Sequence, residues 1–226
     1  MRQLIEAIDI HADRVKAAVL TAGPAARVRN CPQWTVLDLV THLTAVLSYT
    51  VAAITDRRAD PPRPEDWADA LGRWDGQRLA VREALRRPAD SPVRSPFPRS
   101  AGVTAGDLAR RLAHETAIHR LDAESALPKP PDTRYAEAFA ADGVDEYLTF
   151  LAPRRTCGGD GVVRVETGDR TWTLVLRPDQ APALGEGAPG VTVSGSPNDV
   201  YRALWGRPHT ARIVGDVALL EPLAAP

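Results

Sequence analysis

Leu112-Ala113-His114-Glu115-Thr116-Ala117-Ile118-His119-Arg120-Leu121-Asp122 reads as the interior of a helix whose inward face is interrupted by a carboxylate and an imidazole. Advancing about 100° per residue, Leu108, Leu112, Glu115, His119 and Asp122 fall on one side of that helix. Glu115 and His119 stand at i and i+4, so their side chains project from adjacent turns. A Glu and a His in the middle of a core stripe need a partner, because burying such groups alone is costly. Metal coordination is one partner. A local Glu–His ion pair, worth about 0.3 kcal/mol when exposed, is the other.

His114-Glu115 followed by His119 comes close to the H-E-x-x-H signature of metalloproteases, but it holds one residue too many. Histidines at i and i+5 are displaced by about 140° around a helix and do not share a metal as an i, i+4 pair does. His114 therefore belongs to another face and takes no ligand role. A third ligand should come from another inward-facing helix, and His42 is the natural candidate. His209, which follows Gly206-Arg207-Pro208, is harder to place. Two His and one Glu form a set used by catalytic zinc, with a position left open. The same set describes a non-haem iron facial triad. Asp122, at i+3 from His119, is placed either to orient that imidazole from behind or to stay solvated.

Outward from this stretch, the periodicity predicts helices on either side. Residues 2–22 carry Leu4, Ile5, Ile8, Ala12, Val15 and Val19 at helical spacing, with His11 off the stripe and expected at the surface. Thr35-Val36-Leu37-Asp38 has the form of a capping box, and helix two runs from it to about residue 56, with His42 at the edge of its apolar face. Asp60-Pro61-Pro62-Arg63-Pro64 is a stiff connector to a third helix near 65–87. Residues 88–103 hold Pro88, Pro92, Pro96 and Pro98 and form a long loop of the kind often used as a lid or binding wall. Thr104-Ala105-Gly106-Asp107 caps the fourth helix, and a fifth follows at 133–151.

After Ala152-Pro153 the pattern changes to strands at 162–167, 171–176, 190–194 and 211–215. A short helix opens at Ser196-Pro197 and a closing helix covers 216–223. The expected fold is α+β in two domains, a helical bundle over 1–151 and a small α+β domain over 152–226.

A net charge of -1 and a pI near 6.5 give no reason to expect nucleic acid or an anionic membrane as partner. No apolar run is expected to span a membrane, and the N-terminus lacks a signal-peptide core, so a cytoplasmic location is expected. Cys31 and Cys157 form no C-x-x-C pair and read as reduced thiols. Arginine, alanine and proline are abundant while Lys16 and Lys129 are the sole lysines, a bias suggesting a GC-rich bacterial genome.

Cys31-Pro32-Gln33-Trp34-Thr35-Val36-Leu37-Asp38-Leu39-Val40-Thr41-His42-Leu43 resembles the helix-two signature of the mycothiol-dependent maleylpyruvate isomerase family, one of the DinB-like metal-binding four-helix bundles. Residues 113–124 resemble that family's second signature. Val193-Ser194-Gly195-Ser196-Pro197-Asn198-Asp199, Gly206-Arg207 and residues 214–220 are similar to its smaller, sterol-carrier-like domain. The resemblance implies a divalent metal, typically zinc, held by His42, Glu115 and His119, and mycothiol as the thiol cosubstrate. It implies an enzyme in which a metal-activated thiolate attacks a small-molecule electrophile, by cis–trans isomerisation or S-transfer. A substrate carboxylate would suit an arginine of the second domain, and Arg207 is the candidate among Arg202, Arg207 and Arg212. The alternative is a non-catalytic small-molecule binding or sensing module with a structural metal site. A monomer or homodimer is expected.

Overall fold

The computed structural model describes residues 1–59, 61, 63–94 and 102–223, and the chain divides into two compact units, 1–132 and 133–226. Among the described residues the first unit contains four helices: α1 (Arg2–Ala22), α2 (Val36–Thr55), α3 (Trp67–Ala84) and α4 (Ala105–Ser125). α4 packs against α1 and α2, and α2 against α3. Helix α4 is buried on nearly every side, with 16 of its 21 residues inside. That explains why its polar residues could not be dismissed as a solvated face. Ala105, Ala109, Ala113 and Ala117 repeat every fourth position and are fully buried, so neighbouring backbones approach closely along that row.

Helices α2 and α4 both begin in capping boxes. The Thr35 hydroxyl accepts from the Asp38 amide while Asp38 accepts from the Thr35 amide, and Thr104 and Asp107 do the same at α4. Ahead of α4, the described arms of the proline-rich loop pair with each other, Val93 N–H donating to Val103 O at 3.0 Å. The Gly106 amide donates to Ala89 O at 2.7 Å, and a Cβ on Gly106 would meet that oxygen at 3.0 Å, so glycine permits this approach. The central part of that loop, 95–101, lies outside the described residues, as do 60 and 62 of the connector before α3.

One expectation is corrected in this unit. His11 is buried, not at the surface, because α1 packs along α4. Burial, then the nearby Arg120 charge and His114, lowers its pKa to about 4. Helix α2 is also long and apolar enough to cross a membrane by length and composition, with a mean hydropathy of 1.5. It is a bundle helix here, more than half of it buried within the fold.

The second unit contains α5 (Glu137–Glu146), continued by a π-helical turn over Tyr147–Leu151, and a five-stranded sheet with α6 (Pro197–Leu204). The strands are β1 (Gly161–Thr167), β2 (Arg170–Leu176), β3 (Ala183–Leu184), β4 (Val191–Gly195) and β5 (Arg212–Gly215), in the order β3-β2-β1-β4-β5. β1 and β4 run parallel and the other pairs antiparallel. Alternation is clean in β1 and β2, where Val163, Val165, Trp172, Leu174 and Leu176 turn inward.

The segment at 133–151, placed with the bundle on the sequence pattern, lies in the second unit. Asn198 exchanges two hydrogen bonds with the Tyr135 backbone, Trp172 Nε1 donates to Asp145 Oδ1 at 3.0 Å, and the Tyr147 hydroxyl donates to Leu223 O. The Tyr147 ring also meets Trp205 edge-on at 5.4 Å. Helical periodicity shows that a segment has a buried face, not which element covers it. The two-residue strand β3 was not expected, and the closing segment Val217–Leu223, which contains Pro222, is 3-10 rather than α. The α+β class itself, a helical bundle followed by a mixed sheet, is as expected.

Candidate metal centre

His42 projects from the second turn of α2 toward Glu115 and His119 on α4. One ligand atom from each of the three lies within 4.8 Å of the others. His42 Nε2 is 3.1 Å and His119 Nε2 is 3.2 Å from the same oxygen, Glu115 Oε1. The other oxygen, Oε2, accepts from Arg111 Nη2 at 2.6 Å. Behind His119, its Nδ1–H donates to Asp122 Oδ2 at 2.9 Å, and Asp122 is fully buried. The solvated alternative for Asp122 is therefore not realised.

Electrostatics follow from this packing. Burial disfavours the charged form of Glu115, but Arg111 and the hydrogen bonds to His119 and His42 outweigh it and hold the carboxyl well below its usual range. Burial likewise opposes charge on His119, but hydrogen bonds to Asp122 and Glu115 raise its pKa to about 9. To act as a ligand, Nε2 must give up its proton, whereas Nδ1 can keep its own on Asp122.

The segment before α2 forms a wall. Cys31 Sγ donates to Asp122 Oδ2 at 3.5 Å, and the Asn30 amide donates to Ser125 Oγ at 3.4 Å, which ties residues 30–31 to the end of α4. Trp34 N–H donates to Cys31 O at 2.8 Å, closing a tight turn. The indole then lies against both imidazoles, 4.8 Å from the His42 ring and 5.8 Å from that of His119. His42 remains 34% exposed at its side chain while His119 is 5% exposed, so the site opens on the His42 side.

The donor set fits a divalent cation. Two imidazole nitrogens and one carboxylate oxygen converge, and a carboxylate stands behind the more buried imidazole. Among the described residues no other group of three such side chains converges. His114 is fully buried but outside the cluster, as its angular position required. Cys31 reaches Asp122, not the three donor atoms. In the second unit Arg207 is buried, its Nη1 donating to Trp205 O at 2.5 Å, and His209 is exposed. Sequence reading missed Arg111 and Trp34. The first was legible as an i−4 neighbour of Glu115, whereas nothing in the local pattern marked the second.

A four-helix unit presenting two histidines and a carboxylate between α2 and α4, followed by a small mixed-sheet unit, defines a two-domain class of bundle proteins with a candidate metal site. Residues 5–124 match the family described as the mycothiol maleylpyruvate isomerase N-terminal domain, and residues 138–222 match its C-terminal domain, MDMPI. The chain belongs to the mycothiol maleylpyruvate isomerase family. Among solved structures it is similar to a mycothiol-dependent maleylpyruvate isomerase, with 15% identity, coverage of 89% of this chain and 87% of that one, and a TM-score of 0.53. A histidine-to-alanine mutant of a mycothiol-dependent maleylpyruvate isomerase gives 14% identity, the same coverages and a TM-score of 0.54. At such identities the likeness is one of fold. No curated protein matches the chain.

Proposed function

We propose that the bundle unit holds a divalent cation through His42, Glu115 and His119 and activates a low-molecular-weight thiol, mycothiol, for attack on an electrophilic carbon. Zinc suits this donor set. When bound, the cation supplies the positive charge that keeps the thiol deprotonated at neutral pH, where a free thiol of pKa about 8.5 is mostly protonated.

The chain's own groups prepare that chemistry. Asp122 holds the Nδ1 proton of His119, so the Nε2 lone pair faces the site. Trp34 covers the two rings and limits water on that side. Glu115 supplies the single negative donor, and the half-exposed His42 marks the side from which a thiol enters. In isomerisation the sulfur adds to one carbon of a cis double bond conjugated to a carbonyl. The π pair moves toward the carbonyl, the new single bond rotates, and sulfur leaves to restore the double bond as trans. In S-transfer the sulfur stays and the adjacent carbon takes a proton.

The observation that carries this reading is the convergence of three donor atoms within 4.8 Å on two packed helices. The test is turnover of maleylpyruvate and a panel of activated alkenes and epoxides by zinc-loaded protein. Turnover should require both zinc and mycothiol and should vanish in His42→Ala. Inactivity across the panel with both supplied, together with small-molecule binding that survives His42→Ala, would instead establish a binding module.

A further inference from the structure

Glu115 is held at both of its oxygens. Oε1 is within 3.1 Å of His42 Nε2 and 3.2 Å of His119 Nε2, while Oε2 accepts from Arg111 Nη2 at 2.6 Å. Arg111 lies one turn back on α4 and is 6% exposed, so this is a buried, charge-assisted contact rather than a surface pair. We propose that Arg111 is a positioning residue: by occupying Oε2 it leaves Oε1 as the one oxygen of Glu115 that ligates. The proposal rests on the metal-centre reading above.

The argument is geometric. A carboxylate beside a cation ligates through one oxygen or through both, and the second mode needs both oxygens turned toward the cation. Here that turn requires Oε2 to leave a guanidinium it meets at 2.6 Å in a buried setting, where breaking an ion pair is strongly unfavourable. The contact therefore selects the one-oxygen mode. The functional consequence is room. Two imidazoles and one oxygen leave a position for an incoming thiol, whereas a second carboxylate oxygen would occupy part of it. The residue type matters as well. A guanidinium is a planar fork that fixes direction, whereas a lysine ammonium is a point charge on a flexible stem. A purely structural i, i+4 pair would steady the helix and leave the donor set unchanged.

The test is cobalt(II) uptake by the full chain, with Arg111→Met and Arg111→Lys compared against the wild type. Cobalt(II) alone is the probe, read by visible absorption per bound ion, and far-UV circular dichroism monitors folding. A second carboxylate oxygen raises the coordination number, so Arg111→Met is expected to lose about half or more of the absorbance per cobalt. Arg111→Lys should fall between the two. Spectra per bound cobalt that are the same in all three proteins overturn the positioning role. Should Arg111→Met fail to fold, Arg111→Lys decides: an intermediate spectrum supports the role and a wild-type spectrum overturns it. Wild-type protein that takes up no cobalt removes the metal-centre reading and this role with it. Uptake with indistinguishable variants removes the positioning role alone.

Discussion

Replacing Asp122 with Asn probes the support behind His119, the most buried of the three candidate ligands. The Asp122 side chain is fully buried, and its Oδ2 accepts from His119 Nδ1 at 2.9 Å and from Cys31 Sγ at 3.5 Å. Asn has nearly the same shape, so no cavity forms, but the negative charge is lost and an amide N–H2 competes to face the imidazole. Carboxylates behind ligating histidines typically account for roughly 10–100-fold in metal affinity. That corresponds to about 1.4–2.8 kcal/mol. The same contact is a hydrogen bond to a charged group, worth roughly 1.5–3 kcal/mol to the fold when buried. At about 2–4 °C per kcal/mol for a chain of this size, Asp122→Asn should lower Tm by roughly 3–12 °C. Affinity is read by zinc competition with a chromogenic chelator at fixed pH, and Tm by circular dichroism on the same samples. A folded Asp122→Asn protein whose zinc affinity stays within about twofold of wild type, outside the 10–100-fold range, would refute the idea that this carboxylate acts through His119.

Three further outcomes are expected. His11 has a folded-state pKa of about 4 against an ordinary 6.5, so the unfolded chain binds more protons in that interval. The stability this contributes is present above pH 6.5 and is lost as pH falls toward 4, with burial first and then Arg120 and His114 opposing its charge; His11→Gln should flatten the slope of urea-unfolding free energy against pH in that interval. Thr104→Ala removes the hydroxyl that accepts from the Asp107 amide at the start of α4, which should cost about 1 kcal/mol and lower Tm by about 2–4 °C; an unchanged Tm would show that the cap does not stabilise α4. For Arg207, which the sequence offers as a candidate for a substrate carboxylate and the structure buries against Trp205 O, a substrate role requires that Arg207→Lys raise KM about tenfold or more with kcat less affected, since a point charge loses the bidentate geometry. A fall in Tm with unchanged KM would assign Arg207 instead to closing α6 through Trp205 O.

What was legible in the sequence divides by the kind of signal. Periodicity and capping chemistry set the helices of the first unit to within a few residues, because Thr35 with Asp38 and Thr104 with Asp107 are local devices whose partners lie three positions away. Spacing alone also paired Glu115 with His119 and excluded His114. The failures concern what lies across a gap. His11 is off the apolar stripe of α1, yet the neighbouring α4 is buried almost all round and covers it. The fifth helix shows a buried face that the bundle and the sheet could equally have covered, and its partners, Asn198, Trp172 and Trp205, are far along the chain. Trp34 lies in an irregular lead-in with no periodicity to read, and only the tie of residues 30–31 to α4 brings its indole over the imidazoles.

The division of labour at the site follows from helix geometry. Arg111, Glu115, His119 and Asp122 occupy positions i, i+4, i+8 and i+11 of one helix, which lie within about 80° of arc. They also lie within about 17 Å of its length. One rigid element therefore fixes the guanidinium, the carboxylate, the imidazole and the carboxylate behind it, independently of any loop. His42, Trp34 and Cys31 come from elsewhere, the first through α2 packing on α4 and the other two through the turn ahead of α2. His42 is the most exposed of the three donors, while the α4 groups have their mutual spacing set by one helix. The donor on the open side is thus also the one that comes from a different helix from the other two. If the three donors hold a cation as proposed, its most exposed ligand stands at the open side and the two ligands of α4 stand behind it.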